Sequence, residues 1–203
     1  IVWFCLKKCK SYEKKNMFAM LILISFSVLF WALFEQAASS ITLFTDRNVD
    51  MGDTFTAGMF QALNPFFIVL LAPLFAYLWS FLHKKGLEPS TSAKFGFAIL
   101  LVGFGFLVLV FGSQFADSEG KVAVLFLIIM YLFHTMGELC LSPVGLSMVT
   151  KLSVSKIAGM MMGVWFLSSS FAAYVSGWIA GLMAIESNGT TLTIGLNSLQ
   201  IYS

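Results

Sequence analysis

Five long apolar stretches separated by short polar ones set the pattern of this chain. They run over Met17–Phe44, Phe55–Leu82, Ala93–Gly112, Val122–Val149 and Ile157–Ile185. Each can cross a bilayer, which takes about 20 residues of helix. The apolar residues run on without period-2 alternation, so helices are predicted and a β-barrel is not. The connections Thr45–Thr54, His83–Ser92, Ser113–Lys121 and Thr150–Lys156 are short and polar. The fold class read from this pattern is an all-α polytopic membrane protein.

Several stretches exceed what a hydrocarbon core of about 30 Å requires, so their helices must tilt, bend or protrude. Pro65, Pro73 and Pro143 are the predicted bend sites, because proline removes a backbone donor. In the last stretch Gly159 and Gly163 form a GxxxG pair, and Ser169, Ala173, Gly177 and Gly181 continue the small residues. That spacing predicts close helix packing, with a sliding interface as the alternative.

Composition agrees with the pattern and narrows the class. Apolar residues make up 59% and charged residues 11% of the 203, against about 45–50% and 25% in soluble domains. A soluble enzyme, a nucleic-acid binder, a disordered segment and a disulfide scaffold are all excluded on that ground. Cys5, Cys9 and Cys140 have no metal-ligand spacing and read as small apolar residues. The chain starts at Ile1 inside an apolar run and stops at Ser203 within a polar one. A piece of a longer protein is therefore expected, with residues 1–16 ending a preceding helix and forming a loop, 17–185 the bundle, and 186–203 an outer loop.

Charge divides sharply between the two sets of connections. One set holds Lys7, Lys8, Lys10, Lys14, Lys15, Lys84, Lys85, Lys94, Lys151 and Lys156, ten of the twelve basic residues. The other holds Arg47 and Lys121 with Asp46, Asp50, Asp53, Asp117, Glu119 and Glu186. The positive-inside rule then predicts a first span running from the cytoplasm outward.

Two acids remain within the spans, Glu35 and Glu138. An ionisable group at that depth costs a few kcal/mol and faces a cavity or a partner. No lysine or arginine is assigned to a span interior, so both acids are either protonated or paired with protein outside this chain. Each has polar company at helical spacing. Trp31, Glu35 and Ser39 follow i+4 steps beside Phe34, Gln36 and Ser40, and His134, Glu138 and Ser142 share one face. Gln61 and Asn64 stand before Pro65, and Asn64, next to the proline, suits a ligand-lining bend. Trp165 and Phe166 read as lipid-facing or core residues, with pocket-lining as the alternative. His134 reads as a packing residue, with a proton relay to Glu138 as the alternative; His83 reads as interfacial. The triplet Asn188-Gly189-Thr190 matches a glycosylation sequon. Hydrolase, P-loop and metalloprotease signatures are missing, and Ser142 with His134 lacks a third orienting residue, so no enzyme is predicted.

Phe34-Glu35-Gln36 with Ser39-Ser40, then Ala62-Leu63-Asn64-Pro65, then Gly137-Glu138-Leu139-Cys140-Leu141-Ser142-Pro143-Val144-Gly145-Leu146, then Gly163-Val164-Trp165-Phe166-Leu167 resemble the proton-coupled oligopeptide transporter family of the major facilitator superfamily. Order and spacing match the C-terminal half of a bacterial member, helices seven to eleven, with helix twelve and the N-terminal half absent. The resemblance implies a symporter of the inner membrane that imports di- and tripeptides by alternating access. Protons would be the coupling ion, with no other cofactor, and the partners would be the peptide, the lipid bilayer and the N-terminal half. It further implies that Glu138 binds the substrate ammonium, Ser142 lines the same pocket and Asn64 hydrogen-bonds the peptide backbone. Trp165 would wall a side-chain pocket with Phe34 and Gln36, and Glu35 would serve gating and proton coupling. A carrier of the same superfamily for another solute, such as nitrate or an amino acid, is the nearest alternative; a channel or scaffold is the distant one.

Overall fold

The computed structural model describes residues 10–52 and 54–183. The helix tail expected at Ile1–Leu6, the outer loop and the sequon lie outside the described residues. Among the described residues six helices carry the architecture: α1 (Ser11–Phe34), α2 (Ser40–Asn48), α3 (Leu63–Lys84), α4 (Thr91–Ser113), α5 (Val124–Leu152) and α6 (Ala158–Met183). Together with their adjoining 3₁₀ turns they make five segments long and apolar enough to cross a membrane. α5 is the centre of the bundle, packed by α4, α3, α1 and α6.

The first span differs from its expected form. Instead of one helix over Met17–Phe44, α1 stops at Phe34, a 3₁₀ turn covers Glu35–Ala38, and α2 restarts at Ser40. No proline or glycine stands at this break. Ser39 leaves the helical region, with φ −125° and ψ −94°, and nearby hydroxyls take over backbone carbonyls. Ser39 Oγ donates to the Glu35 carbonyl at 3.3 Å and Thr42 Oγ1 to the Ala37 carbonyl at 2.7 Å. Such side-chain bonds make a broken helix tolerable at membrane depth.

The expected proline bends are placed otherwise. Pro65 is the third residue of α3, where a missing N–H leaves no helical bond unmade, and it follows a 3₁₀ turn over Ala57–Ala62. Pro73 and Pro143 sit within helices that continue through them. Beyond α2, Val49–Asp50 (β1) pairs in parallel with Val122–Ala123 (β2), in register Val49 to Val122. This pair ties the end of the broken span to the start of α5. It was not expected from the pattern, because two residues give no period to read.

The small-residue stripe of α6 is also corrected. A Cβ added at Gly159, Gly163, Gly177 or Gly181 meets nothing within 4 Å. The packing face of α6 is instead Met161, Trp165, Ser168, Ala172 and Ser176. The close-packed glycines are on α4 and α5. A Cβ at Gly137 would come within 2.8 Å of the Ala98 carbonyl, at Gly112 within 2.6 Å of Phe126, and at Gly105 within 2.5 Å of the His134 ring. Ala98, Val102, Gly105, Leu109 and Gly112 form the buried face of α4, so the two backbones approach closely there. Gly105→Ala is expected to cost about 1–3 kcal/mol by overpacking. Thermal unfolding in detergent checks this, and the cost should shrink when His134 is first replaced by Ser.

The hairpin between α3 and α4 is fixed by its end chemistry. Gly86 takes φ +67°, with Leu87 N bonded to the Leu82 carbonyl and Gly86 N to the His83 carbonyl, the Schellman arrangement that glycine favours. Ser90 Oγ then caps α4 by accepting from Ala93 N at 3.2 Å. Lys94, counted with the loop cations above, is in the first turn of α4 and is buried. Its ammonium pairs with Glu88 and lies 4.6 Å from the Trp79 ring centre. The hydrogen bond from Lys94 holds the surface Glu88 carboxyl below its ordinary value, with His83 adding to the effect. A lowered carboxyl contributes stability above its unfolded pKa and loses it as pH falls through the lowered value. Acid titration followed by thermal unfolding should therefore show a step in the native protein that Glu88→Gln lacks.

Candidate functional site

The candidate site forms where the break in the first span meets the start of α3 and the middle of α5. Pro65 and the 3₁₀ turn before it begin α3 here, so Asn64 projects from a first turn. Its amide nitrogen donates to Glu138 Oε2 at 2.9 Å and to Thr135 Oγ1 at 3.2 Å. The orientation is dictated by its partners. The Thr135 hydroxyl spends its own hydrogen on the Tyr131 carbonyl at 2.8 Å, and a carboxylate only accepts, so the amide must present its NH₂. The half-buried Glu138 is thus held by a neutral donor. Among the described residues, neither Glu138 nor Glu35 has a basic side chain at ion-pair distance.

Next to this pair is a cavity of about 140 Å³ whose lining includes Phe34, Glu35, Gln61, Asn64, Tyr131 and His134. Gln61 also reaches across to α2, donating to Thr42 Oγ1 at 3.0 Å. The cavity joins an acid at the helix break to amides, a phenol and an imidazole within an aromatic wall. Such a site can orient a small solute with a few convergent polar groups inside an apolar wall. Among the described residues no group of His, Cys, Asp or Glu could hold a metal ion.

Phe34, Glu35, Asn64 and Glu138 are therefore brought together, and three other expected residues are not. Gln36 is 2% exposed, and its amide is fully engaged elsewhere. It donates to the carbonyls of Ala32 and Ser176 and to Ser176 Oγ, at 3.1, 3.2 and 3.0 Å, and accepts from Ser40 Oγ at 2.6 Å. It pins the break to α6 rather than lining the cavity, because the 3₁₀ turn rotates successive side chains by about 120°. Trp165 is buried between Phe95 of α4, 6.5 Å away edge-on, and Gly145 of α5, whose missing side chain makes room for the indole. Ser142 is half-buried one turn beyond Glu138, apart from the cavity lining.

The sequence reading passed over Tyr131 and Thr135 and gave Gln61 no site role. A signal for the first two existed: they stand seven and three residues before Glu138, on its own helical face.

The chain matches the model of the POT family (PTR2) over residues 1–194. It is 37% identical to the uncharacterized transporter YclF of Bacillus subtilis, over 98% of this chain and 41% of that protein. With the peptide transporter YePEPT of Yersinia enterocolitica it shares 38%, over 89% of the chain and 36% of that protein. The chain spans about two fifths of the length of the curated relatives it matches. Among solved structures, a peptide transporter POT in complex with alafosfalin superposes with a TM-score of 0.80 at 31% identity, covering 88% of this chain and 37% of that one. A POT family transporter in complex with a thioalcohol-conjugated peptide gives 0.79 at 29% identity, covering 87% and 37%.

Proposed function

The chain belongs to the POT family, and from that premise we propose that it forms one half of a proton-coupled symporter that imports di- and tripeptides by alternating access. The Asn64–Glu138 bond beside the Glu35 cavity is the observation that carries this reading. A carboxylate held by a neutral amide, with no basic side chain at ion-pair distance among the described residues, has a charge free for a substrate ammonium. Glu138 takes the peptide's amino terminus and Asn64 its backbone. Phe34 forms part of the wall, and Glu35 exchanges a proton and pairs with a cation of the N-terminal half. Gln36 and Trp165 hold the elements that shape the site, and Ser142, one turn beyond Glu138, lines the pocket that the N-terminal half completes. The ten-to-two division of basic residues supports a first span that leaves the cytoplasm, in a bacterial inner membrane.

The test is uptake of a labelled dipeptide by the full-length protein in proteoliposomes. An inward proton gradient should drive accumulation, and its collapse should stop it. Absence of dipeptide uptake from a preparation that moves another solute would overturn the peptide assignment.

A further inference from the structure

The Asn64 amide has two N–H groups, and both are committed within the chain, one to Glu138 Oε2 at 2.9 Å and one to Thr135 Oγ1 at 3.2 Å. What it has left for a solute in the cavity it lines is its oxygen. Packing does not set that orientation. Asn64 is only half-buried, and the one residue that α3 buries is Phe67. The carboxylate alone does not set it either, since an amide held by a single bond still swings about that bond. The second bond supplies the constraint. Thr135 is fully buried, and its hydroxyl donates to the Tyr131 carbonyl one turn back at 2.8 Å. That bond holds a β-branched side chain in one of its two helical rotamers, so Oγ1 presents a fixed lone pair to Asn64. Turning the amide over would set its oxygen against this lone pair and against the carboxylate at once.

Resting on the peptide reading above, we propose that Thr135 is the positioning residue of the substrate site. It touches no substrate itself and acts through Asn64. Its hydroxyl holds the amide with one N–H on Glu138 and the oxygen toward the peptide, so Asn64 accepts from a backbone N–H while Glu138 receives the ammonium. These two acceptors stand on different helices, Asn64 on α3 and Glu138 on α5, and the distance between them has to be fixed across a helix contact. Thr135 and Glu138 are three residues apart on one face of α5, and together they grip the Asn64 amide at two points. Without the hydroxyl the amide turns about its remaining bond, and the peptide has to order it on binding, which lowers affinity.

Three variants of the full-length protein in proteoliposomes test this. Thr135→Val and Thr135→Ala remove the hydroxyl, the first keeping the branched shape, and Thr135→Ser keeps the hydroxyl and loses the methyl. The KM for uptake of a labelled dipeptide should rise about tenfold in the Val and Ala variants, the scale of one hydrogen bond at a charged site. The maximal rate should stay within about twofold of native, as when binding alone is lost, and Thr135→Ser should restore a near-native KM. Either hydroxyl-free variant that folds decides the matter. A native KM in it overturns the proposal, and so does a tenfold rise in Thr135→Ser, which is the mark of packing. Failure of both hydroxyl-free variants to fold overturns it as well, because the hydroxyl would then be holding α5 rather than the amide. If the native protein moves another solute and no dipeptide, the peptide assignment falls and this inference with it; native dipeptide uptake with an unchanged KM in the variants sinks the inference alone.

Discussion

Replacing Glu138 with Gln should abolish gradient-driven dipeptide uptake, by about a hundredfold or more, without unfolding the protein. The geometry makes the substitution a clean one. Asn64 donates to Glu138 Oε2, and a glutamine oxygen accepts the same bond, so the tie between α3 and α5 survives. What disappears is the negative charge, and with it the partner proposed above for a substrate ammonium. Thermal unfolding should therefore be close to native while uptake is lost. Glu138→Asp retains the charge but is shorter by one methylene, which withdraws it from Asn64; intermediate uptake is expected. Native uptake by Glu138→Gln would remove this acid from the mechanism.

Gln36→Ala is expected to do the reverse. The side chain spends one N–H on the Ala32 carbonyl, shares the other between the carbonyl and hydroxyl of Ser176, and accepts from Ser40, and it is the link between the helix break and α6. Truncation strands the buried hydroxyls of Ser40 and Ser176. Hydrogen bonds between membrane helices are worth about 0.6 kcal/mol on average and up to about 1.7, so a loss of about 2–3 kcal/mol is expected. Unfolding of purified protein in detergent reads that loss directly. Because the amide does not reach the cavity, the dipeptide affinity of the protein that remains folded should be unchanged. A large affinity change with native stability would return Gln36 to the binding site.

These two residues mark how far the sequence could be read. The five spans were legible because hydropathy over some twenty residues integrates many weak preferences, and the ends came within a few residues. Glu138 and Asn64 were legible because a polar residue in an apolar run is conspicuous and helical spacing assigns it a face. Gln36 was misplaced for the same reason. Its position was judged on a regular helix, and the 3₁₀ turn at Glu35–Ala38 breaks that geometry without a proline or glycine to announce it. The glycines of α6 failed differently. Their spacing is real, but spacing does not say which face of a helix meets protein, and Gly105, Gly112 and Gly137 were distinguished only by what faces them. Trp165, expected in the wall of a side-chain pocket, is seated against Gly145, twenty residues away in sequence.

The interrupted first span also has a mechanical consequence. An unbroken helix over the 38 residues Ser11–Asn48 would be a lever of about 57 Å, and a few degrees of tilt at one end would swing the other by several ångströms. The break divides it into arms of about 36 Å and 14 Å. The long arm is braced by α4 and α6, while the short one is strapped to the start of α5 through Val49 and Val122. Torque applied to either arm is absorbed at Ser39 instead of being delivered to the far side of the membrane. The Glu35 carboxyl sits at the fulcrum, where displacement is smallest.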